Sequence, residues 1–340
     1  MDAKAPWQAE ILPTDTPELF RAAVRQAAES LRAGEVVALP TETVYGLAAN
    51  ALNAAAVAQI FRIKGRPAHN PIIIHVASIE MAKRCVSRWT QPAEHLAQAF
   101  WPGPLTLVLP RGVDIPEVVT AGGPTAGVRW PSHPLIQAVI RECGFPLAAP
   151  SANPSNRISP TSAEHVRKVL GHKLRLIVDG GRSQVGIEST VVDVSVEPPI
   201  VLRPGMIHEQ ALLAVLGRLG ANDREKAQVL KSPGLLRKHY SPRAKLVLWS
   251  WKNERELRER SRESGMPMAR IHVIAHTCIP SVESFGRVGV IPHDPEAFAR
   301  AIYAELHECD EAGAGLIVVE ALPETVEWQA LADRLKRAAA

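Results

Sequence analysis

The strongest constraint on this chain is a repeated alternation between short apolar, β-branched runs and capped helical segments. Val36–Leu39, Ile72–Val76, Leu105–Leu109, Pro146–Ala148, Leu176–Val178, Thr190–Val194 and Ile200–Leu202 read as buried strands, too short for helices. Between them lie helix signals. Asn53 caps a stretch through Lys64 with Val57, Ile60, Phe61 and Ile63 on one side. Ser78 opens a short helix, and Pro134–Cys143 ends on Gly144 in the stop position. Thr161-Ser162-Ala163-Glu164 reads as a capping box before a helix to Leu170. This pattern predicts an α/β domain, a twisted mixed sheet with flanking helices, over residues 1–218.

Residues 219–243 read as a linker with bends at Ser232-Pro233-Gly234 and Ser241-Pro242. Lys231–Lys245 holds five cations and no acid, which suits either a solvated connector or a basic strap over an anionic site. Residues 244–340 repeat the alternation. Leu246–Trp249, Arg270–Ala275 and Leu316–Val319 are expected strands. Asn253–Ser264, Pro295–Cys309 and Glu327–Ala339 are expected helices. This predicts a small Rossmann-like α/β domain, but without G-x-G-x-x-G no dinucleotide is expected there.

A chain of 340 residues is long enough for two domains. Its start lacks the basic-then-apolar form of a signal peptide, and no apolar run is long enough for a membrane span, so a cytoplasmic protein with no membrane partner is expected. Cys85, Cys143, Cys278 and Cys309 are widely spaced, which fits reduced thiols and argues against a zinc site. Charge is uneven. Residues 241–340 carry 13 Lys and Arg against 15 Asp and Glu, and residues 1–240 carry the remaining 26 against 20. An anionic ligand should therefore belong to the first part, and that mild basic excess leaves weak RNA binding open.

Chemistry-bearing residues cluster where the backbone leaves regular structure. Lys64-Gly65-Arg66-Pro67 closes a helix, and Ala149–Asn156 leaves a strand and offers Ser151 and Asn153. The other segments are Pro40–Leu47, Thr125–Pro131 with Arg129, Gly186–Thr190 and Val201–Gly205 with Arg203. Each residue also has an ordinary reading. Lys64 suits a helix C-terminus, Arg129 and Arg203 suit salt bridges, and Thr43, Ser151 and Thr190 suit turn hydrogen bonds. His75 suits a core histidine. Jointly, cations, hydroxyls and glycines with only Glu42 and Glu188 as acids favour phosphoryl chemistry over carboxylate-pair hydrolysis. There is no G-x-x-x-x-G-K-[ST] motif, so a nucleotide site cannot be a P-loop.

At these residues the chain resembles the YrdC-like threonylcarbamoyl-AMP synthases in their long form with an extra C-terminal domain. The matching words are Pro40–Leu47, Lys64–Pro67 with Asn70-Pro71, Trp101–Thr106, Val128-Arg129 and Ala149–Asn153 with Ser159–Thr161. They continue through Gly186–Asp193, Leu202–Gly205, and Ser232–Gly234 with His239–Pro242. The resemblance implies a YrdC-like fold and an adenylate-forming synthase of L-threonine, bicarbonate and ATP that releases diphosphate for tRNA modification. It implies that Lys64, Arg66, Ser151 and Asn153 are catalytic. Asn70, Thr161, Arg203, His239 and Tyr240 would join them around ATP, with Tyr240 closing the strap. Thr43, His75, Arg129, Ser189 and Thr190 would hold L-threonine, Arg129 at its carboxylate. Magnesium would ride mainly on the ATP phosphates rather than on a protein metal site. A downstream tRNA-modifying transferase would take the product.

The chain departs from the pattern at Asn156, where the family usually has glycine, at Trp130, and at Leu236 and Arg237 in the strap. Two other functions share part of this pattern. One is carbamoyl transfer from carbamoyl phosphate, whose enzymes carry zinc-finger cysteines and an acylphosphatase-like domain that this chain lacks. The other is an RNA-binding module, for which aromatic stacking motifs are missing.

Overall fold

Residues 8–221 and 239–340 are described by a computed structural model of the chain. Within them, residues 8–155 and 159–221 form one compact unit, and 156–158 with 239–340 form another. The strap residues Lys231, Ser232, Pro233, Gly234, Leu236 and Arg237 lie outside the described residues.

The first unit is built on a ten-stranded sheet. Its strands are β1 Glu10–Leu12, β2 Val37–Leu39, β3 Gly46–Asn50, β4 Ile74–His75 and β5 Leu105–Pro110. They continue as β6 Thr125–Arg129, β7 Leu147–Ala148, β8 Leu176–Val178, β9 Thr190–Asp193 and β10 Ile200–Arg203. The order is β1-β8-β2-β3-β7-β4-β6-β5-β9-β10. Parallel pairs such as β4 with β6 and β5 with β9 are interleaved with antiparallel ones, so the sheet is mixed, as expected.

The core is continuous along this sheet. Leu107 on β5 pairs in register with Val128 on one side and Val192 on the other, and all three side chains are fully buried. Local chemistry sets the helix ends. Asn53 Oδ1 accepts from the backbone of Ala55 and Ala56, and Gly65 ends that helix with φ +61°. Gly144 does the same after Pro134–Cys143 with φ +77°. The helix Pro17–Arg32, capped by Thr16, packs Ala23, Val24, Ala27, Ala28 and Leu31 inward.

Three expectations need correction. The run Ile72–Val76 pairs as a strand only at Ile74–His75, because Ile72 N instead donates to Val119 O. The helix to Leu170 is capped by Ser162, not Thr161: Ser162 Oγ accepts from His165 N, and position N3 is His165 rather than Glu164. The last helix starts with a tight turn at Val326–Trp328 and becomes α-helical at Gln329–Ala338.

The second unit has a four-stranded, all-parallel sheet, ordered β11-β14-β12-β13. Its strands are β11 Lys245–Trp249, β12 Ile271–Ala275, β13 Arg287–Val290 and β14 Leu316–Glu320. Helices Glu254–Glu263 and Pro295–Glu311 make the crossovers β11 to β12 and β13 to β14, the expected Rossmann-like pattern. No helix among the described residues is long and apolar enough to cross a membrane.

Leu107→Ala should destabilise the first unit by about 2–5 kcal/mol, because the cavity opens between two packed neighbours. A urea titration followed by tryptophan fluorescence measures this. An unchanged midpoint would contradict the central place assigned to β5.

Candidate functional site

The helix that ends at Lys64 aims its last side chain inward. Lys64 is buried, and its Nζ donates to the carbonyls of Ser151 and Asn153 and, at 3.3 Å, to Asn153 Oδ1. Burial holds its pKa well below the ordinary lysine value. Nearby Arg66 adds to that, and Glu188 opposes it. The helix-terminus reading of Lys64 therefore fails as a full account, because an exposed cation would have sufficed for the dipole.

Arg66 is also buried. Its Nε donates to Asn70 O at 2.9 Å, and its Nη2 donates to Asn70 Oδ1 at 2.8 Å and Pro71 O at 2.6 Å. These bonds fix the turn that leads into β4. Ser151 bridges to Gly46, and Ala152 N donates to Tyr45 O, so the Ser151–Asn153 loop lies against the start of β3. Gly46 allows a close approach there, since a Cβ would stand 3.3 Å from the Ala149 methyl and crowd it.

The loop Pro40–Tyr45 is the hub of these contacts. Thr41 Oγ1 donates to Val44 O at 2.6 Å and accepts from Thr43 N and Val44 N. Tyr45 N donates to Pro160 O, Val185 N to Glu42 O, and Ser183 Oγ to Thr41 O. Thr161 is buried next to this hub, where its carbonyl accepts from Ser183 N.

His75 and Arg129 are register partners on the parallel strands β4 and β6, so they emerge side by side. Arg129 is buried rather than in a surface salt bridge. Its Nη1 donates to Thr43 Oγ1 at 2.9 Å and its Nε to Gly103 O at 3.2 Å. Its Nη2 lies 2.7 Å from Glu42 Oε1 as an ion pair without hydrogen-bond alignment. Ser132 N donates to that same Oε1 at 3.0 Å. Burial alone would raise the Glu42 pKa, but Arg129 and these hydrogen bonds outweigh it and hold the carboxyl below its usual range. His75 is pushed down to about 3, first by burial and then by Arg129, and its Nδ1 is buried without a hydrogen-bond partner.

Arg203, at the end of β10, is buried, and donates through Nε to Ser189 O and through Nη2 to Ser189 Oγ, both at 3.1 Å. Ser189 Oγ also bonds Thr106 Oγ1 at 2.8 Å. The Thr190 hydroxyl is committed elsewhere, donating to Ile207 O and accepting from Ile207 N. Gly205 lies so close that a Cβ would meet Thr190 N at 2.4 Å.

Of the fourteen residues named from the sequence and resemblance, twelve belong to the first unit, as Glu42 does: Lys64, Arg66, Asn70, Ser151, Asn153, Thr161, Thr43, His75, Arg129, Ser189, Thr190 and Arg203. His239 and Tyr240 belong to the second unit, where Tyr240 has φ +62° and stacks on Tyr303 at 6.0 Å, with Arg334 over its ring at 5.4 Å. Asn156 adopts φ +66°, the left-handed conformation that its place at a usual glycine requires. Glu42 was not among the expected ligand residues. Its signal was a single acid between two threonines, with no spacing to distinguish it from a solvated side chain. Among the described residues, no group of three or more His, Cys, Asp or Glu is placed to hold a metal ion.

Comparison with known proteins shows the family. A family model described as Telomere recombination matches residues 29–205, and one described as Threonylcarbamoyl-AMP synthase, C-terminal domain, matches 207–340. The threonylcarbamoyl-AMP synthase of Pyrococcus abyssi is 38% identical over 324 residues, 93% of each chain. That of Bacillus subtilis is 40% identical over 326 residues, 93% of this chain and 92% of that one. A crystal structure of P. abyssi Sua5 complexed with L-threonine superposes with a TM-score of 0.87 at 36% identity, covering 97% of this chain and 96% of that one. The chain belongs to the threonylcarbamoyl-AMP synthase family.

Burial of His75 as a neutral ring carries a pH signature. Its pKa is about 6.5 unfolded and about 3 folded, so the unfolded chain binds the proton first. The stability this contributes is fully present above pH 6.5 and is lost as pH falls towards 3. Between pH 7 and pH 5 the loss should be about 2 kcal/mol, and His75→Gln should remove that slope. Denaturant titrations of both chains at the two pH values measure it. Equal slopes would show that His75 is not buried neutral.

Proposed function

We propose that this member of the threonylcarbamoyl-AMP synthase family makes threonylcarbamoyl-AMP and diphosphate from L-threonine, bicarbonate and ATP, for the threonylcarbamoyl-adenosine modification of tRNA. The observation that carries this reading is that Lys64, Arg66, Arg129 and Arg203 are all buried in one unit and each bonds to small polar loops. Several cations set on hydroxyl-bearing and amide-bearing loops suit a polyphosphate, whose charge they would offset.

In this reading bicarbonate yields CO2 and hydroxide, the free amine of L-threonine adds to the CO2 while its proton leaves with the hydroxide as water, a carbamate oxygen attacks the α-phosphorus of ATP, and diphosphate leaves. Lys64, Arg66 and Arg203 offset phosphate charge, with Asn70, Ser151, Asn153 and Thr161 as hydrogen-bond partners. Arg129 pairs with the threonine carboxylate, and Thr43, His75 and Ser189 line the same pocket. Thr190 supports Ser189 from the turn it shares with Ile207. Magnesium fits as a companion of the ATP phosphates, since the donor set around the cations is basic and hydroxylic rather than acidic. The catalytic domain is residues 1–218. Residues 219–243, carrying His239 and Tyr240, act as the strap that keeps water from the product, and 244–340 form the second domain. The product passes to a tRNA-modifying transferase in the cytoplasm.

Incubation with ATP, L-threonine, bicarbonate and magnesium should release pyrophosphate only when threonine is present. Release that ignores threonine would end this reading. Lys64→Ala and Arg66→Ala should each lower turnover at least roughly tenfold, as loss of about 1.4 kcal/mol of transition-state stabilisation does. Full activity in both would remove them from the site. A chain ending at residue 230 should lose synthesis, and an unimpaired truncate would make the strap dispensable.

A further inference from the structure

The Arg129–Glu42 pair is incomplete in a specific way. Glu42 Oε1 receives Arg129 Nη2 and Ser132 N, while Glu42 Oε2 is buried with no hydrogen-bond partner. Arg129 Nη2 lacks an aligned acceptor, and His75 Nδ1, on the neighbouring strand, also has none. A buried carboxylate oxygen with nothing to accept from is costly, and burial of one in a folded protein calls for a ligand that donates to it.

Charge narrows the ligand. Arg129 and Glu42 cancel each other. A simple carboxylate placed on Arg129 would leave a net negative charge in a buried site, next to Glu42. A zwitterion would not, because its ammonium meets Glu42 while its carboxylate meets Arg129. Neutral His75 then faces an uncharged polar group without adding charge.

We propose that Glu42 Oε2 accepts the α-ammonium of the amino-acid substrate, so that Glu42 and Arg129 together read the zwitterion. Glu42 is thereby a specificity-determining residue that touches substrate. This rests on the synthase reading above and adds to it the residue that selects an amino acid over a hydroxy acid.

The test compares L-threonine with (R)-3-hydroxybutanoate, which keeps the carboxylate, hydroxyl and methyl but lacks the amine. Calorimetric titration of the full chain should show threonine binding at least about tenfold tighter, the worth of a charge-assisted hydrogen bond. In E42Q that ratio should fall towards one, chiefly by weaker threonine binding, while ATP binding is kept. If E42Q fails to fold, E42D keeps the charge for Arg129 but shortens the arm, and its ratio should fall below that of the unaltered chain. An equal loss for both ligands would mean that Glu42 only positions Arg129 and would overturn the proposal. So would an unchanged ratio in a folded variant, or equal binding of the two ligands by the unaltered chain. Failure of the synthase reading looks different: the unaltered chain would release no pyrophosphate in response to threonine.

Discussion

A buried ammonium must be surrounded by acceptors, and that requirement at Lys64 organises the first unit. The Lys64 Nζ meets Ser151 O, Asn153 O and Asn153 Oδ1, three acceptors for its three N–H groups. The carbonyls come from a loop that also bonds Gly46 and Tyr45, so a helix end, the loop after β7 and the start of β3 are locked as one body. Ser155 N returns a bond to Lys64 O. A Met or Leu at this position would fill the volume yet remove the donor that Ser151 O, Asn153 O and Asn153 Oδ1 share. Two requirements are thus met by one side chain, a satisfied interior and a positive field beside the polar loops. That coincidence explains why this helix ends on lysine followed by a left-handed glycine: Gly65 at φ +61° turns the chain at once, so that Arg66 can return towards the same region.

Much of this was legible in the sequence, for definite physical reasons. Short apolar runs carrying β-branched residues, such as Leu105–Leu109 and Thr190–Val194, announce buried strands because such residues fit a pleated, buried surface. Asn53, Ser78 and Gly144 mark helix ends through their own hydrogen bonds or backbone freedom. Other elements were silent. Strand β3 is Gly46-Leu47-Ala48-Ala49-Asn50, mostly small residues with little β preference, and it is a strand because β2 and β7 pair with it on both sides. The ten-strand order was equally hidden, since it depends on pairings as distant as Glu10 with Leu176.

The site was legible as a set of loops but not as a set of contacts. Arg129 could be named from its strand end, yet nothing local reveals that Glu42, 87 positions earlier in the chain, would sit 2.7 Å away. The ordinary readings offered for Arg129 and Arg203 assumed solvent, and burial removes that assumption: a guanidinium nine-tenths buried needs several acceptors from different segments, and those segments are then held by it. Thr190 shows the converse. Its hydroxyl closes the turn at Ile207, while the hydroxyl of the neighbouring Ser189 meets Thr106 and Arg203.

Polar groups left incomplete by the fold separate binding from scaffolding. Tyr45 illustrates scaffolding: it is buried, its hydroxyl donates to Gly181 O at 2.7 Å, and burial with Asp179 nearby pushes its pKa up. Nothing about it asks for a ligand. Glu42 and His75 are equally buried, but each keeps an atom that no protein group satisfies. Satisfying those atoms internally would have been simple, since a serine or backbone N–H could have been supplied as it was for Glu42 Oε1 by Ser132. An unsatisfied buried polar atom is costly, so Glu42 Oε2 and His75 Nδ1 are where this part of the sheet gives up free energy that a fully bonded arrangement would have kept.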